Sequence, residues 1–116
     1  VLGSYDAASK SLTIVQYTKP DGATDYVNSM WEHQKEPFKG DVVNSYNDGA
    51  PKPRAKPLGP FYELETSSPA AALTPRRSLT HVNRTFHIVG SEESLNKIAK
   101  SVLGTGLKEI NGAFKK

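Results

Sequence analysis

Glu63 and Glu65 stand two residues apart in the run Phe61-Tyr62-Glu63-Leu64-Glu65-Thr66, ahead of a small-residue turn closed by Pro69. Side chains alternate faces along a strand, so Phe61, Glu63 and Glu65 would share one face while Tyr62, Leu64 and Thr66 share the other. Glutamate is depleted in strands and almost never fully buried unless paired. Two carboxylates beside an aromatic ring, opposite a plausible core, therefore describe either a solvated or Arg-paired sheet surface or the floor of a polar cleft. In such a cleft Phe61 offers a flat surface, and one glutamate accepts a proton or a hydroxyl hydrogen bond. The expectation is that Glu65, with Phe61 and Glu63 beside it, faces the cleft while Tyr62 and Leu64 face the core. Hydrolysis by the pair is disfavoured. Glycosidase carboxylates approach the scissile bond from opposite sides, whereas neighbours on one strand face approach from one.

Other residues could join such a site. Asp41, Asn44, Asn47 and Asp48 carry the hard oxygens that Ca²⁺ takes, but counting from Asn44 puts Tyr46 at the third position of an EF-hand loop. Asx-turns that hold residues 40–49 in shape over the site, without metal, are the preferred account. In a sugar site, Asn44, Asn47 and Asp48 would hydrogen-bond hydroxyls while Tyr46 or Trp31 stacks on the ring; a packing role for Trp31 is the simpler one. Arg84 interrupts an otherwise apolar row of Val82, Phe86 and Ile88 and is expected to pair with Glu63 or Glu65, because a buried charge needs a partner. His81 and His87 share a strand face but lie about 20 Å apart, too far to hold one metal.

The run Tyr62-Glu63-Leu64-Glu65-Thr66, followed by Pro69-Ala70, Leu73-Thr74-Pro75, His81 and an alternating strand, resembles the C-terminal end of galactose mutarotase-like (aldose 1-epimerase-like) domains. In that family a glutamate in a Leu-Glu-Thr setting is the catalytic base, so the resemblance puts the base at Glu65. Two positions depart from the motif: Ser67 stands for a glutamine, and Arg76 stands for the glycine of a Pro-Gly turn. Trp31-Glu32-His33-Gln34, the Asp/Asn-rich stretch 40–49 and the terminal helix resemble a bacterial branch of the same fold. The resemblance implies the C-terminal portion of an antiparallel β-sandwich with one C-terminal helix, and a chain that is a fragment of a longer domain. It implies carbohydrate binding, with isomerase activity of the aldose 1-epimerase type or, alternatively, recognition without catalysis. Mutarotation needs a base and an acid and no cofactor or metal. The family's acid is a histidine far upstream, and His33 is too close in sequence to Glu65 to be it. The partners implied are a sugar or glycan and, through uncovered sheet edges, the rest of a parent protein or a second copy.

Positioning these residues falls to one domain's worth of chain, 116 residues with 36% hydrophobic and 23% charged content. No apolar run approaches the ~20 residues of a membrane helix. The net charge of +3 is mild, and the basic group Lys52, Arg54, Lys56 is spread between prolines, so no nucleic-acid partner is expected. Without cysteines there are no disulfides, and the compartment stays open, with a periplasmic or secreted one slightly preferred.

Residues 12–31 read as a hairpin around Lys19-Pro20-Asp21-Gly22. Residues 32–60 hold five of the eight prolines and read as a long loop. Residues 61–89 carry the site strands, the longer over 78–89 and preceded by a turn at Thr74-Pro75-Arg76-Arg77. Helix 91–103 has a Ser91 cap, an acidic start, a stripe of Leu95, Ile98, Ala99, Val102 and Leu103, and Gly104 as its stop. Residues 104–116 read as a tail.

Overall fold

In the computed structural model, which describes residues 1–30 and 32–113, the chain is mainly β. Five strands, β1 (Leu2–Asp6), β2 (Ser11–Tyr17), β3 (Val43–Asn47), β4 (Tyr62–Thr66) and β5 (Asn83–Val89), precede α1 (Glu92–Leu103) and α2 (Leu107–Gly112). The strands form two antiparallel sheets, β1-β2-β5 and β3-β4, an element set consistent with a small β-sandwich-like fold. The chain divides into two units. One is Val1–Tyr17 with the chain from Val82 onward; the other, Thr18–His81, is inserted between the paired strands β2 and β5. No helix among the described residues is long and apolar enough to cross a membrane.

In the first unit β2 is the central strand, and Leu12, Ile14 and Val15 make it the most buried. Leu12 and Ile14 meet Leu95 and Ala99 of α1 and Leu107 of α2 in one core cluster, with Tyr5, Ile88, Ile98, Leu103 and Ile110 packed against it. Leu12, Leu95 and Leu107 are almost fully buried, each burial contributing about 1.5–3 kcal/mol. Gly3 of β1 is required by close approach: a Cβ there would lie 2.7 Å from the Thr13 carbonyl oxygen and 2.9 Å from Leu103 Cδ1.

Helix α1 begins and ends as its residues dictate. Ser91 Oγ accepts the Ser94 N–H at 3.2 Å, Glu92 and Glu93 occupy the first turn, and Gly104 stops the helix at φ 73°. The stripe is buried at Leu95 and Ala99, while Val102 is left exposed at its margin.

The pairing of β2 differs from the expected hairpin. Its partners are β1 before it and β5 some seventy residues later, not residues 25–30. The β1–β2 connection is held by Asp6, whose carboxylate accepts the Ala8 N–H at 2.9 Å and the Ser9 hydroxyl at 2.5 Å. A turn forms one residue later than expected, over residues 20–23, where the Ala23 N–H donates to the Pro20 carbonyl at 3.4 Å and Gly22 takes φ 72°, and it belongs to the second unit. Residues 104–116 are not simply a tail, because α2 occupies part of them, so a second, short helix follows α1 among the described residues. Gly106 precedes α2 and has no side chain to cap it; Asn96 of α1 supplies the missing acceptor, its Oδ1 taking the Leu107 N–H at 3.0 Å. Phe114, Lys115 and Lys116 lie outside the described residues.

Strand β5 covers 83–89 rather than 78–89, as the edge strand of its sheet. That position corrects the expectation for Arg84. It is exposed, it stands opposite Gln16 in the ladder, and the ion pairs among the described residues are Lys39–Glu36 and Lys97–Glu93. A charge needs a partner when buried; the row it interrupts is itself open, with Phe86 44% exposed.

In the second unit, residues 25–30 do not form a return strand. Tyr26, 4% exposed, makes one isolated parallel bridge with Lys39. Tyr26 N–H donates to the Phe38 carbonyl at 3.1 Å, and its own carbonyl accepts the Gly40 N–H at 2.8 Å. Gly40 packs so closely on the Val27 carbonyl that no side chain fits there. The expected loop over 32–60 contains β3, which pairs with β4 to make the sheet that carries the candidate site.

Candidate functional site

The β3–β4 register decides which side chains meet. Asn44 lies opposite Glu65, and Tyr46 opposite Glu63. Just outside the ladder the Ser67 N–H donates to the Val42 carbonyl at 2.8 Å and the Asp48 N–H to the Phe61 carbonyl at 3.1 Å. Bonded pairs alternate in an antiparallel ladder, so Asn44/Glu65 and Tyr46/Glu63 are the bonded pairs, with Cα atoms ~5.5 Å apart. Successive residues on one face are roughly 7 Å apart along a strand. Asn44, Tyr46, Glu63 and Glu65 thus mark the corners of a patch whose Cα spacing is roughly 5.5 by 7 Å.

These four residues line an open cavity of about 510 Å³. Ser45 borders it from β3, and Asn28, Ser29 and Met30 form its wall. The wall is braced by Gln34, whose Nε2 donates to the Met30 carbonyl at 3.0 Å and the Asn28 carbonyl at 3.2 Å. On the floor, Asn44 Nδ2 donates to Glu65 Oε2 at 2.6 Å. That bond orients the carboxylate and leaves Oε1 without a hydrogen-bond donor among the described residues. Glu63 is exposed and accepts no hydrogen bond among them either.

Asp48 holds the far end of the patch. Its Oδ1 accepts the Tyr46 hydroxyl at 2.9 Å and its Oδ2 the Gly59 N–H at 2.8 Å, so one carboxylate ties β3 to the segment entering β4. The Tyr46 and Phe61 rings tilt together, with centroids 5.7 Å apart. The Gly59 N–H is the chief cause holding the Asp48 carboxyl below its ordinary 3.8; partial burial opposes it and the Tyr46 hydroxyl adds to it. The Tyr46 phenol is pushed above its ordinary 10.0, first by its bond to Asp48, then by burial and by the charges of Asp48 and Glu63. Tyr46 therefore stays a neutral donor across the physiological range.

A pH dependence follows. A carboxyl whose folded pKa is depressed contributes stability above its unfolded value and loses it as pH falls through the lower folded value. The Asp48 clamp is expected to be indifferent between pH 6 and 8 and to open only in acid below its ordinary 3.8. The Asp48 carboxyl carbon, followed by NMR, should titrate below that value, with Gly59 amide exchange accelerating in step. An Asp48→Asn chain should lack the step. A midpoint at or above 3.8 would show that the clamp does not hold the charged form.

The structure gathers Asn44, Tyr46, Glu63 and Glu65, and sets Phe61 and Asp48 beside them as supports. Tyr62 does not face a core; it is 51% exposed at the start of β4, and Leu64 and Thr66 are the sheltered residues of that face. Asn47 alternates to the face opposite Asn44 and Tyr46, across from Tyr62, and is exposed. Residues 40–49 are a floor strand of the cavity and not a cover, because β3 runs through them. Arg84 belongs to the other unit, and Trp31 lies outside the described residues. His81 has both ring nitrogens engaged, Nδ1 with Thr18 Oγ1 at 3.2 Å and Nε2 with Thr66 Oγ1 at 3.1 Å, next in sequence to Glu65. Among the described residues, no group of three or more His, Asp or Glu side chains is placed to hold a metal ion. Asn28, Ser29 and Met30 were hidden by their reading as strand. Their only signal was that the polar Asn28-Ser29 pair breaks a β-rich run.

No curated protein and no solved structure matches the chain. A family model does, over residues 1–114, and it covers both units with all of their described residues: the chain belongs to DUF6786, a family of unknown function.

Proposed function

We propose that the β3–β4 cavity binds an aldose ring, in the manner of galactose mutarotase-like domains, with Glu65 in the place of the general base. The observation that carries this is the Asn44–Glu65 pair, an amide hydrogen-bonded to a carboxylate at 2.6 Å on the floor of an open polar cavity. Sugar hydroxyls donate and accept at once. A carboxylate beside an amide meets both needs, and Tyr46 adds an aromatic edge whose hydroxyl is already satisfied by Asp48. Glu65 Oε1 is the atom available to take an anomeric proton.

A second observation supports the resemblance to that fold. The motif's turn expects glycine where Arg76 stands, and Arg76 adopts φ 65°, the left-handed region that favours glycine. The Arg77 N–H closes the turn on the Thr74 carbonyl at 3.1 Å, with Pro75 and Arg76 at the two central positions of a glycine-preferring type II turn.

The test is a titration of the isotopically labelled chain with glucose and with galactose, read by amide shifts. The expected result is shifts at Asn44, Tyr46, Glu63 and Glu65 that an Asn44→Ala substitution weakens. Shifts confined to β1, β2, β5 or the helices, or none with either sugar, would rule the cavity out as an aldose site.

Recognition without catalysis is favoured by one specific feature. The lining described holds amides, carboxylates, hydroxyls and one thioether, and no histidine to act as the acid. His33 lines the neighbouring hollow, which shares Asn28 and Met30 with this one.

A further inference from the structure

We infer that Glu63 is a specificity residue, and that the cavity selects its sugar by charge. It favours an amino sugar, whose ammonium pairs with Glu63, over the neutral hexose, and turns away uronic acids and sugar phosphates. This rests on aldose binding at the β3–β4 cavity. It adds the class of sugar that such a cavity takes.

The two glutamates on the floor are not equivalent. Glu65 is engaged by Asn44. Glu63 sits in the next bonded pair of the ladder, faces the same cavity, and has no hydrogen-bond or ion-pair partner among the described residues. Its charge is felt locally, since it contributes to raising the phenol of Tyr46 across the ladder. None of the described lining residues is cationic. A carboxylate or phosphate on the ligand would therefore meet two negative charges and no positive one, while an ammonium would meet an open acceptor. Asn28, Ser29 and Asn44 supply neutral hydrogen bonds that do not depend on ligand charge.

The site is open to water, so the expected discrimination is modest. An exposed ion pair at contact gives about fivefold in affinity, and a like-charge approach costs a similar factor. Salt should erase most of it, because the Debye length falls to a few ångströms near ~1 M.

The experiment compares glucosamine, glucose, glucuronate and glucose 6-phosphate, with the galactose counterparts, on the whole chain at pH 7 and low salt, by ligand-observed NMR. The expected order is amino sugar, then neutral, then anionic. Glu63→Gln, isosteric and exposed, should bring the amino sugar level with the neutral one. Raising the salt to 0.5 M should do the same to the unmodified chain. Equal binding of all classes, or preference for the anionic ones, overturns charge selection while leaving sugar binding intact. An amino-sugar preference that survives Glu63→Gln overturns the assignment to Glu63. Binding of none of these sugars removes the aldose site itself, and this inference with it.

Discussion

Leu95→Ala is expected to lower the unfolding free energy of the unit that contains it by about 2–5 kcal/mol. Leu95 is 1% exposed and meets Leu12, Ile14, Ala99 and Leu107 in the one apolar cluster formed from β2 and both helices. Truncation loses the transfer free energy of the removed carbons and leaves a cavity that β2 cannot close, because its ladders to β1 and β5 fix it on both sides. Against a typical total of 5–15 kcal/mol the loss is large. The measurement is urea denaturation followed by the helical circular dichroism signal, with Val89→Ala as control. Val89 is 73% exposed, and its truncation should stay within ~0.5 kcal/mol. A Leu95→Ala loss no larger than the Val89→Ala loss would mean that the helices do not rest on β2 as described.

Those parts of the fold set by local chemistry were legible. Helix α1 carries its cap, dipole charges, apolar stripe and terminal glycine between Ser91 and Gly104. The turns at residues 20–23 and 74–77 announce themselves through proline and glycine, or through proline alone where Arg76 takes the left-handed conformation, though the first forms one residue later than its sequence suggests. Strand pairing was not legible. Nothing in Ser11–Tyr17 distinguishes Leu2–Asp6, Asn83–Val89 and residues 25–31 as partners, and the preference is settled by what each partner buries. Leu2–Asp6 won its place through an Asp6-held turn and a glycine small enough to sit beneath Leu103, neither of which is a strand signal. Helix α2 was missed because its cap is Asn96, eleven residues upstream.

The site was half legible, and for a physical reason. Period-two alternation put Glu63 and Glu65 on one open face, and it failed at Tyr62, which is 51% exposed where the strand begins. Strand β3 escaped because its cavity face is Asn44 and Tyr46; a strand whose function is polar does not show the apolar alternation by which strands are found. Arg84 was misassigned because its cost was reckoned for a buried row, and β5 is an edge strand.

The chain by itself is expected to leave freshly dissolved glucose or galactose relaxing at close to the buffer rate in a polarimeter. Ring opening needs a proton taken from the anomeric hydroxyl and another delivered to the ring oxygen, and each positioned group contributes typically ~10²–10⁴-fold. In the proposed aldose reading Glu65, held by Asn44 and lining the cavity, would take the first. For the second, the described lining offers no acid: Tyr46 holds its proton more tightly than an ordinary phenol and spends it on Asp48. His81 is occupied by two threonine hydroxyls, and His33 opens on the adjoining hollow. A base alone thus forgoes a factor of ~10²–10⁴. Imidazolium added as an external acid tests that account. With the chain present, the rate should exceed that of imidazole buffer alone, and Glu65→Gln should remove the excess. Acceleration without imidazole, abolished by Glu65→Gln, would overturn the missing acid. His33→Asn and His81→Asn would then separate the two histidines able to provide it, since only the true donor's loss should return the rate to that of buffer.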